Sequence, residues 1–353
     1  MKRKYLITGA TGHLGNHVIR ELLENSGDVR ALVLPDDPGQ ARLPSSVEIV
    51  HGDVLDVESL ERFFTVASDT EIVVIHMAAI ITIKWGFDQK VHDVNVEGTR
   101  NVVSQCIHAN VKKLIHVSSV HAIPELPHGQ IIKEVVSFSK KDIVGFYGKT
   151  KAQASQIVMD AVAQTGLNAT ILFPAGIVGP GDYRRGFFTT LIEQAAKGNI
   201  PAGVKGAYNF VDVRDAARGI VAAVDKGRNG ESYILANRRI DLNELFYGIS
   251  VESGAKEVKK RVPMWIARLA LPFISLAAGI RKQKPLFTLY SLYTLGSNSL
   301  FSSDKAIDEL GYSVRPFSES IHDTIEWMRN EGWLTERKKV RARRRKAVKQ
   351  PLI

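Results

Sequence analysis

Short apolar runs rich in β-branched residues alternate along the chain with longer stretches in which apolar positions recur every three or four residues. The first run is Lys4 to Thr8. A glycine turn follows it, and Leu14 to Glu24 then carries apolar residues at Leu14, Val18, Ile19, Leu22 and Leu23, the single stripe of an amphipathic helix. Further runs stand at Val29 to Leu34, Val47 to Val50, Ile72 to His76, Leu114 to Ser118 and Ala169 to Phe173. Near-continuous apolar runs separated by helical segments predict parallel strands buried on both faces. The expected class is α/β, a doubly wound parallel sheet, with any ligand at the carboxyl ends of the strands.

Beyond Pro174 the alternation loosens. Gly176 to Gly203 and Asn237 to Ser297 lack a regular pattern, as a smaller substrate-binding lobe would, whereas Phe210 to Val224 and Glu231 to Leu235 read as returns to the sheet. The expected division is therefore 1–174 for the core, 175–334 for a discontinuous lobe with returns to the core sheet near 204–235, and 335–353 for a tail. Met264 to Ile280 is strongly apolar, but it is short for a bilayer, contains Arg268 and Pro272, and runs into Arg281-Lys282-Gln283-Lys284. Two readings stay open for it: a buried or substrate-facing helix, and an interfacial membrane contact.

The formal net charge of +10 is concentrated at one end, because nine Lys or Arg residues lie between Arg337 and Lys349 with no acid among them. The rest of the chain is close to neutral. Such a tail is too polar to pack and is expected to be disordered, either simply solvated or in weak contact with an anionic membrane or RNA. One cysteine, Cys106, excludes an intramolecular disulfide, and Met1-Lys2-Arg3-Lys4 leads into an apolar segment without an export signal. The expected setting is cytoplasmic, with membrane-peripheral attachment as the alternative, for a monomer or homodimer.

Between the first strand and the first helix lies Thr8-Gly9-Ala10-Thr11-Gly12-His13-Leu14-Gly15. Glycines in this place allow a tight turn, let backbone N–H groups approach a pyrophosphate, and let helix pack on strand, while the helix N-terminus supplies partial positive charge. Gly9, Gly12 and Gly15 would take these three parts. The motif turns the predicted sheet into a Rossmann-type dinucleotide-binding core.

The spacing Gly-x-x-Gly-x-x-Gly resembles that of extended short-chain dehydrogenases/reductases, the NAD(P)-dependent epimerase/dehydratase family, and further segments match that family in order. The resemblance implies cofactor contacts from the loop residues Gly9, Thr11, Gly12, His13, Leu14 and Gly15. It implies others from Asp53 and Val54 of His51-Gly52-Asp53-Val54, whose aspartate meets adenine, and from Ala78 and Ala79 of His76-Met77-Ala78-Ala79. Pro174 and Ile177 of Pro174-Ala175-Gly176-Ile177 would lie at the nicotinamide. Asn95, in Asp93-Val94-Asn95-Val96-Glu97-Gly98-Thr99, would support the active site, although a helix-capping role fits it equally. The cofactor is NAD or NADP. Leu34 ends the second strand where the family shows an acid or an arginine; Asp36 and Asp37 would repel an extra phosphate and favour NAD, and Arg30 and Arg42 argue the other way.

Tyr147-Gly148-Lys149-Thr150-Lys151 places a phenol and an ammonium at i and i+4 of a helix, on one face. A nearby positive charge would favour phenolate and bring proton exchange toward working pH. In the resemblance, Lys151 also holds the nicotinamide ribose, and Ser119, with Ser118 in reserve, orients the substrate carbonyl while Tyr147 donates a proton to it. His76, His116 and His121 show no metal-ligand spacing, and no metal is expected. His121 stands near enough to Ser119 to line a substrate pocket.

Dehydratases of the family place an acid pair after the serine, where this chain has Val120 and His121. Tyr208 stands where sugar-nucleotide enzymes tend to carry a diphosphate-binding arginine. The segment Phe210 to Gly219 and the closing segment Asn298 to Trp327 resemble dihydroflavonol-reductase-like and 3β-hydroxysteroid-dehydrogenase-like members. The expected activity is hydride transfer between nicotinamide and the carbonyl or alcohol carbon of a mainly apolar small molecule. A sugar-nucleotide epimerase or dehydratase and a non-catalytic dinucleotide-binding protein are the alternatives.

Overall fold

The structure is a computed structural model that describes residues 2–271 and 288–335. The apolar stretch beyond Leu271, the basic cluster at 281–284 and the tail from Glu336 onward, for which the sequence raised membrane contact and disorder, lie outside the described residues. Among the described residues no helix is long and apolar enough to cross a membrane. The described residues divide into two compact units, one within 2–175, 213–236 and 300–313, the other within 176–212, 237–271, 288–299 and 314–335.

The first unit is built on a seven-stranded sheet. Six of its strands are β1 (Lys2–Thr8), β2 (Asp28–Val33), β3 (Glu48–His51), β4 (Thr70–His76), β5 (Lys113–Val117) and β6 (Ala169–Pro174), in the order β3-β2-β1-β4-β5-β6. The strand Ser232–Leu235 adds to β6 as the seventh. Every pairing is parallel. The expected apolar runs coincide with these strands because a strand covered on both faces needs apolar side chains in both directions: Leu6, Ile7, Val74, Ile75, Leu114, Ile115, Ile171 and Phe173 are all fully buried.

Helices α1 (His13–Glu24), α2 (Val57–Phe64), α3 (Gln89–His92), α4 (Gly98–His108) and α5 (Phe146–Thr165) supply the crossovers. α1 buries Val18, Ile19 and Leu22, the stripe legible in the sequence. α2 starts where Asp56 accepts from the backbone N–H groups of Glu58 and Ser59 at 3.1 and 3.3 Å. α5 ends at Gly166, whose φ of +75° only glycine adopts at little cost. Between α3 and α4 the chain makes a π turn over Asp93–Glu97.

The second unit holds a three-stranded sheet in the order Arg238–Asp241, Ala207–Asp212, Gly176–Val178, and a two-stranded pairing of Gly203–Val204 with Arg261–Val262. Its core gathers Ile192, Phe210, Phe246, Leu292 and Ile325. Phe210 to Asp212, read from the sequence as part of a return to the main sheet, pairs instead with strands of this unit. The chain rejoins the first unit at Val213 with the helix Val213–Lys226 and the strand Ser232–Leu235, and again at Leu300.

The tightest constraint in the first unit is at Gly15. A Cβ there would lie 2.2 Å from the carbonyl oxygen of Gly9 and 2.9 Å from that of Ala10, both backbone atoms that no side-chain rotation can move. Gly15→Ala is therefore expected to lower stability by about 2–3 kcal/mol, read as a shift in urea midpoint. An unchanged midpoint would mean that the loop opens freely and that this contact is not structural.

Candidate active site

The carboxyl ends of β1, β4 and β5 meet in register: Thr8 pairs with His76, and His76 with His116. The segments implicated by the sequence leave the sheet here. After Thr8 the chain turns at Gly9, whose φ of +74° and 2.7 Å clearance from the Ala78 nitrogen both exclude a side chain. Gly12 is the N-cap of α1, in ordinary extended backbone, and no side chain caps that helix. A Cβ on Gly12 would meet the Gly9 carbonyl oxygen at 3.2 Å and nothing else within 4 Å. Gly9 and Gly15 are thus fixed by backbone contacts, whereas Gly12, with His13 and Leu14 opening α1, leaves a helix N-terminus able to receive an anion.

The ends of β2 and β3 lie beside this loop. Thr11 donates its hydroxyl hydrogen to Asp37 at 2.7 Å, and Asp37 also accepts from the Gly39 nitrogen at 2.9 Å. Arg30 is committed elsewhere: it bonds the carbonyls of Phe63 and Thr65 at 3.0 and 2.6 Å and pairs with Glu48 at 2.8 Å. Leu34 is half exposed. Asp53 accepts from the Leu55 nitrogen at 3.0 Å, a local turn that holds its carboxylate at the end of β3. Val54 packs beneath α4, where a Cβ on Gly98 would come within 2.7 Å of it. Ala78 donates its backbone N–H to the Thr8 hydroxyl at 3.2 Å, and Ala79 follows it out of β4.

The first turn of α5 carries the proposed chemistry. Tyr147 and Lys151 are both buried, at 7% and 3% exposure. The Lys151 Nζ donates to the Val117 carbonyl at 2.7 Å. Burial lowers Lys151 to about 7 and raises Tyr147 to about 12, with the Ser119 hydroxyl opposing the rise at the phenol. The sequence expectation that Lys151 depresses the phenol is not met in this arrangement, because desolvation outweighs every other influence on it. Tyr147 is a protonated donor at neutral pH.

The two serines after β5 are separated by their partners. Ser118 shares a 2.8 Å hydrogen bond with Ser155 on α5 and is used up in packing. Ser119 caps the short turn Val120–Ala122, accepting from the His121 nitrogen at 3.3 Å, and lies near enough to Tyr147 for its hydroxyl to oppose the effect of burial on the phenol. The His121 ring stands edge-on to the Tyr147 ring at 6.1 Å and is brought down to about 4 by burial, so it is neutral at working pH. Gly148 lets α5 approach this turn, since a Cβ there would lie 2.6 Å from the His121 carbonyl oxygen.

Asn95 sits in the π turn and makes no capping bond. Its Oδ1 accepts from the Ile80 nitrogen at 2.7 Å, and its Nδ2 donates to the Ile80 carbonyl at 3.1 Å and to the Thr150 hydroxyl at 3.0 Å. Thr150 in turn donates to the Tyr147 carbonyl at 2.8 Å. Of the expected nicotinamide contacts, Pro174 ends β6 in the first unit, and Ile177 belongs to the strand Gly176–Val178 of the second. Thr8, Thr99, Gly148 and Thr150 were not singled out from the sequence. Thr8 opens the glycine-loop segment, Thr99 closes the segment of Asn95, and Gly148 and Thr150 lie inside Tyr-x-x-x-Lys, so all four were within reach.

The sequence model of the NAD dependent epimerase/dehydratase family matches residues 5–236. The chain is 30% identical to sterol demethylase protein B of Methylococcus capsulatus, over 93% of this chain and 99% of that protein. It is 27% identical to a putative dihydroflavonol 4-reductase of Synechocystis, over 94% and 96% of the two. Among solved structures, that of gox2253 superimposes with a TM-score of 0.80 at 32% identity, covering 94% of this chain and 99% of that one. The UDP-glucose 4-epimerase of Thermotoga maritima, solved with UDP-glucose, has a TM-score of 0.73 at 21% identity over 93% and 99% of the chains, a likeness of fold. Glycine loop, parallel sheet and matched family converge: the chain belongs to the NAD dependent epimerase/dehydratase family and is a nicotinamide-dependent enzyme of the short-chain dehydrogenase/reductase type.

Proposed function

We propose that the protein transfers hydride between NAD and the carbonyl or alcohol carbon of a mainly apolar ketone, aldehyde or alcohol. The observation that carries this reading is the meeting of a buried, protonated Tyr147 with the Ser119 hydroxyl, one helical turn from the buried Lys151 ammonium. Two hydroxyl donors aimed at one carbonyl oxygen stabilise the negative charge that develops there, and the phenol supplies the proton. The nicotinamide, when bound, supplies or accepts the hydride.

Gly9, Thr11, Gly12, His13, Leu14 and Gly15 would hold the pyrophosphate. Asp53 and Val54 would meet the adenine, and Ala78 and Ala79 the ribose. Lys151, Pro174 and Ile177 belong to the nicotinamide end. NAD is favoured over NADP because the carboxylate tied to the glycine loop, Asp37, would repel a 2′-phosphate, while Arg30 is already spent on Glu48 and two carbonyls. The apolar substrate class is supported by Tyr208, whose ring packs among Phe188 and Phe210 where sugar-nucleotide enzymes tend to carry an arginine. It is supported too by relatives named for a sterol and a dihydroflavonol. Val120 and the neutral His121 offer no acid pair for elimination.

Tyr147→Phe keeps the ring and loses only the proton donor, so turnover is expected to fall at least about 100-fold, with NADH titration unchanged. Ser119→Ala should cost about 10- to 100-fold. The measurement is absorbance change with NADH across ketones and aldehydes, beside a UDP-hexose control; near-normal turnover by the tyrosine variant sinks the assignment. Damage from Ser118→Ala with Ser119→Ala silent moves the serine role by one residue.

Gly12→Val keeps an ordinary backbone but brings its Cβ to 3.2 Å from the Gly9 carbonyl oxygen, a tight contact that the loop must ease, so folding is checked first by circular dichroism; the branched side chain would fill the mouth of α1. Cofactor fluorescence titration is expected to show binding lost in this variant, and NADH bound more tightly than NADPH by the native protein. Unchanged titration by the folded variant rejects the loop assignment.

Lys151→Met removes a buried charge and with it the activity. The lysine is lowered in the folded protein from an unfolded value of 10.5 to about 7. Between those values the unfolded chain holds more protons, so the destabilisation is full below about pH 7 and fades as the pH rises to the unfolded value. The variant should therefore melt higher than the native protein, by a larger margin at pH 6 than at pH 9. A lower melting temperature at pH 6 would show that the bond to Val117 outweighs the desolvation.

A further inference from the structure

We propose that His76 is a positioning residue that ties the glycine-loop end of β1 to the catalytic helix through a path of buried hydrogen bonds that crosses Asn95 from its backbone carbonyl to its side chain and ends on the Tyr147 backbone, so that loading the loop and setting Tyr147 are coupled. This rests on the hydride-transfer reading above and adds a residue to which that reading assigns no role.

The chain begins at Thr8, the residue before Gly9. Its hydroxyl accepts from the Met77 and Ala78 nitrogens, both at 3.2 Å, which occupies its lone pairs. Its own hydrogen then goes to the His76 Nδ1 at 2.7 Å. The ring hydrogen must sit on Nε2, which donates to the Thr99 hydroxyl at 3.0 Å. Thr99 donates onward to the Asn95 carbonyl at 2.7 Å. Asn95 grips Thr150, and Thr150 grips the Tyr147 carbonyl. Every hydrogen along this path has one place to go.

Thr8, His76, Asn95, Thr99 and Thr150 are each exposed by 1% or less, so water cannot replace a broken link. The imidazole must accept toward Thr8 and donate toward Thr99. Only the neutral ring in one tautomer does both, and the stacked His116 ring, 5.5 Å away at 29°, fixes its plane. The two ends of the path differ in function. Thr8 and Ala78 shape the cofactor loop, whereas Thr150 and Tyr147 belong to the catalytic helix. A buried histidine that merely filled space would need neither bond.

The test uses the full-length protein and reads amide hydrogen exchange with and without saturating NADH. The reporters are the glycine loop, residues 9–16, and the π turn, residues 93–97, to which no dinucleotide contact is assigned. In the native protein NADH should slow exchange at both. In Thr99→Val, an isosteric change, the loop should still be protected, but the added protection of the π turn should drop at least threefold, with kcat about tenfold lower and KM for the carbonyl substrate unchanged. His76→Phe should lower π-turn protection and kcat in the same way and, lacking an acceptor toward Thr8, should also weaken loop protection; the double variant should be no worse than His76→Phe alone, because both changes cut the same path. His76→Asn, which keeps an acceptor toward Thr8 but has no counterpart of the Nε2 that meets Thr99, should retain loop protection and lose the added protection of the π turn.

Undiminished π-turn protection in both single variants, or single effects on kcat that multiply in the double variant, overturns the proposal. If His76→Phe does not fold, Thr99→Val and His76→Asn decide alone. Absence of NADH protection at the glycine loop of the native protein defeats the cofactor reading itself, and this inference with it.

Discussion

The first unit is organised around the burial of one ammonium. Lys151 is 3% exposed and holds a single backbone carbonyl, that of Val117. Taking such a group out of water costs several kcal/mol, and the surroundings keep every neighbouring titratable ring uncharged. His76 is held to about 3, chiefly by burial and further by the Lys151 charge. His116 is pushed well below its ordinary value by burial first, then by Lys151 and His76, and neither of its ring nitrogens has a hydrogen-bond partner. Among Lys151, His76 and His116, only Lys151, lowered to about 7, takes up a positive charge near neutral pH. A single cation beside a protonated phenol is what a site needs if it is to stabilise an oxyanion without competing acids.

This arrangement depends on the parallel sheet. With every strand running the same way, the ends of β1, β4 and β5 open on one edge, and the register aligns Thr8, His76 and His116 across it. α5 then passes this edge with Tyr147 in its first turn and Lys151 in its second. The glycine loop, the histidines and the Tyr-Lys pair are far apart in sequence, and crossover connections bring them to one edge of the sheet. The small residues are placed where backbone meets backbone: Gly9 against Met77 and Ala78, Gly15 against Gly9, Gly148 against His121.

Much of this was legible in the sequence, for a physical reason. A strand buried on both faces must be apolar throughout, so the runs ending at Thr8, His76 and Ser118 located the strand ends to within a residue, and the motifs followed from the ends. The glycine spacing and the i, i+4 phenol and ammonium are local patterns that a linear reading can see. The pattern reports burial but not partner. Phe210 and Val211 look like a core strand whichever sheet they join, and the sequence could not tell that they pair with Gly176–Val178 and Arg238–Asp241. Hydroxyl-mediated links were equally hidden. Nothing about Thr99 or Thr150 as letters says that one meets His76 and the other Asn95, since those contacts exist only once α4 and α5 are packed.

The sign of the Tyr147 shift shows how far pattern reasoning reaches. Spacing places the ammonium and the phenol on one helix face, and Coulomb attraction alone would lower the phenol. Burial acts on both groups at once and in opposite directions, lowering the lysine to about 7 and raising the tyrosine to about 12. In the folded chain the Lys151 Nζ is turned toward the Val117 carbonyl and holds its proton only up to about pH 7, so burial decides the phenol, which keeps its own. For reduction this is an advantage. The group needed is a donor, and a donor that is fully protonated at neutral pH, next to a second hydroxyl on Ser119, is ready without prior ionisation. For oxidation of an alcohol the same phenol would have to lose its proton first, which in this arrangement is unfavourable. Both directions pass through one transition state, so the raised phenol moves the pH at which alcohol oxidation becomes fast to higher values and does not close that direction.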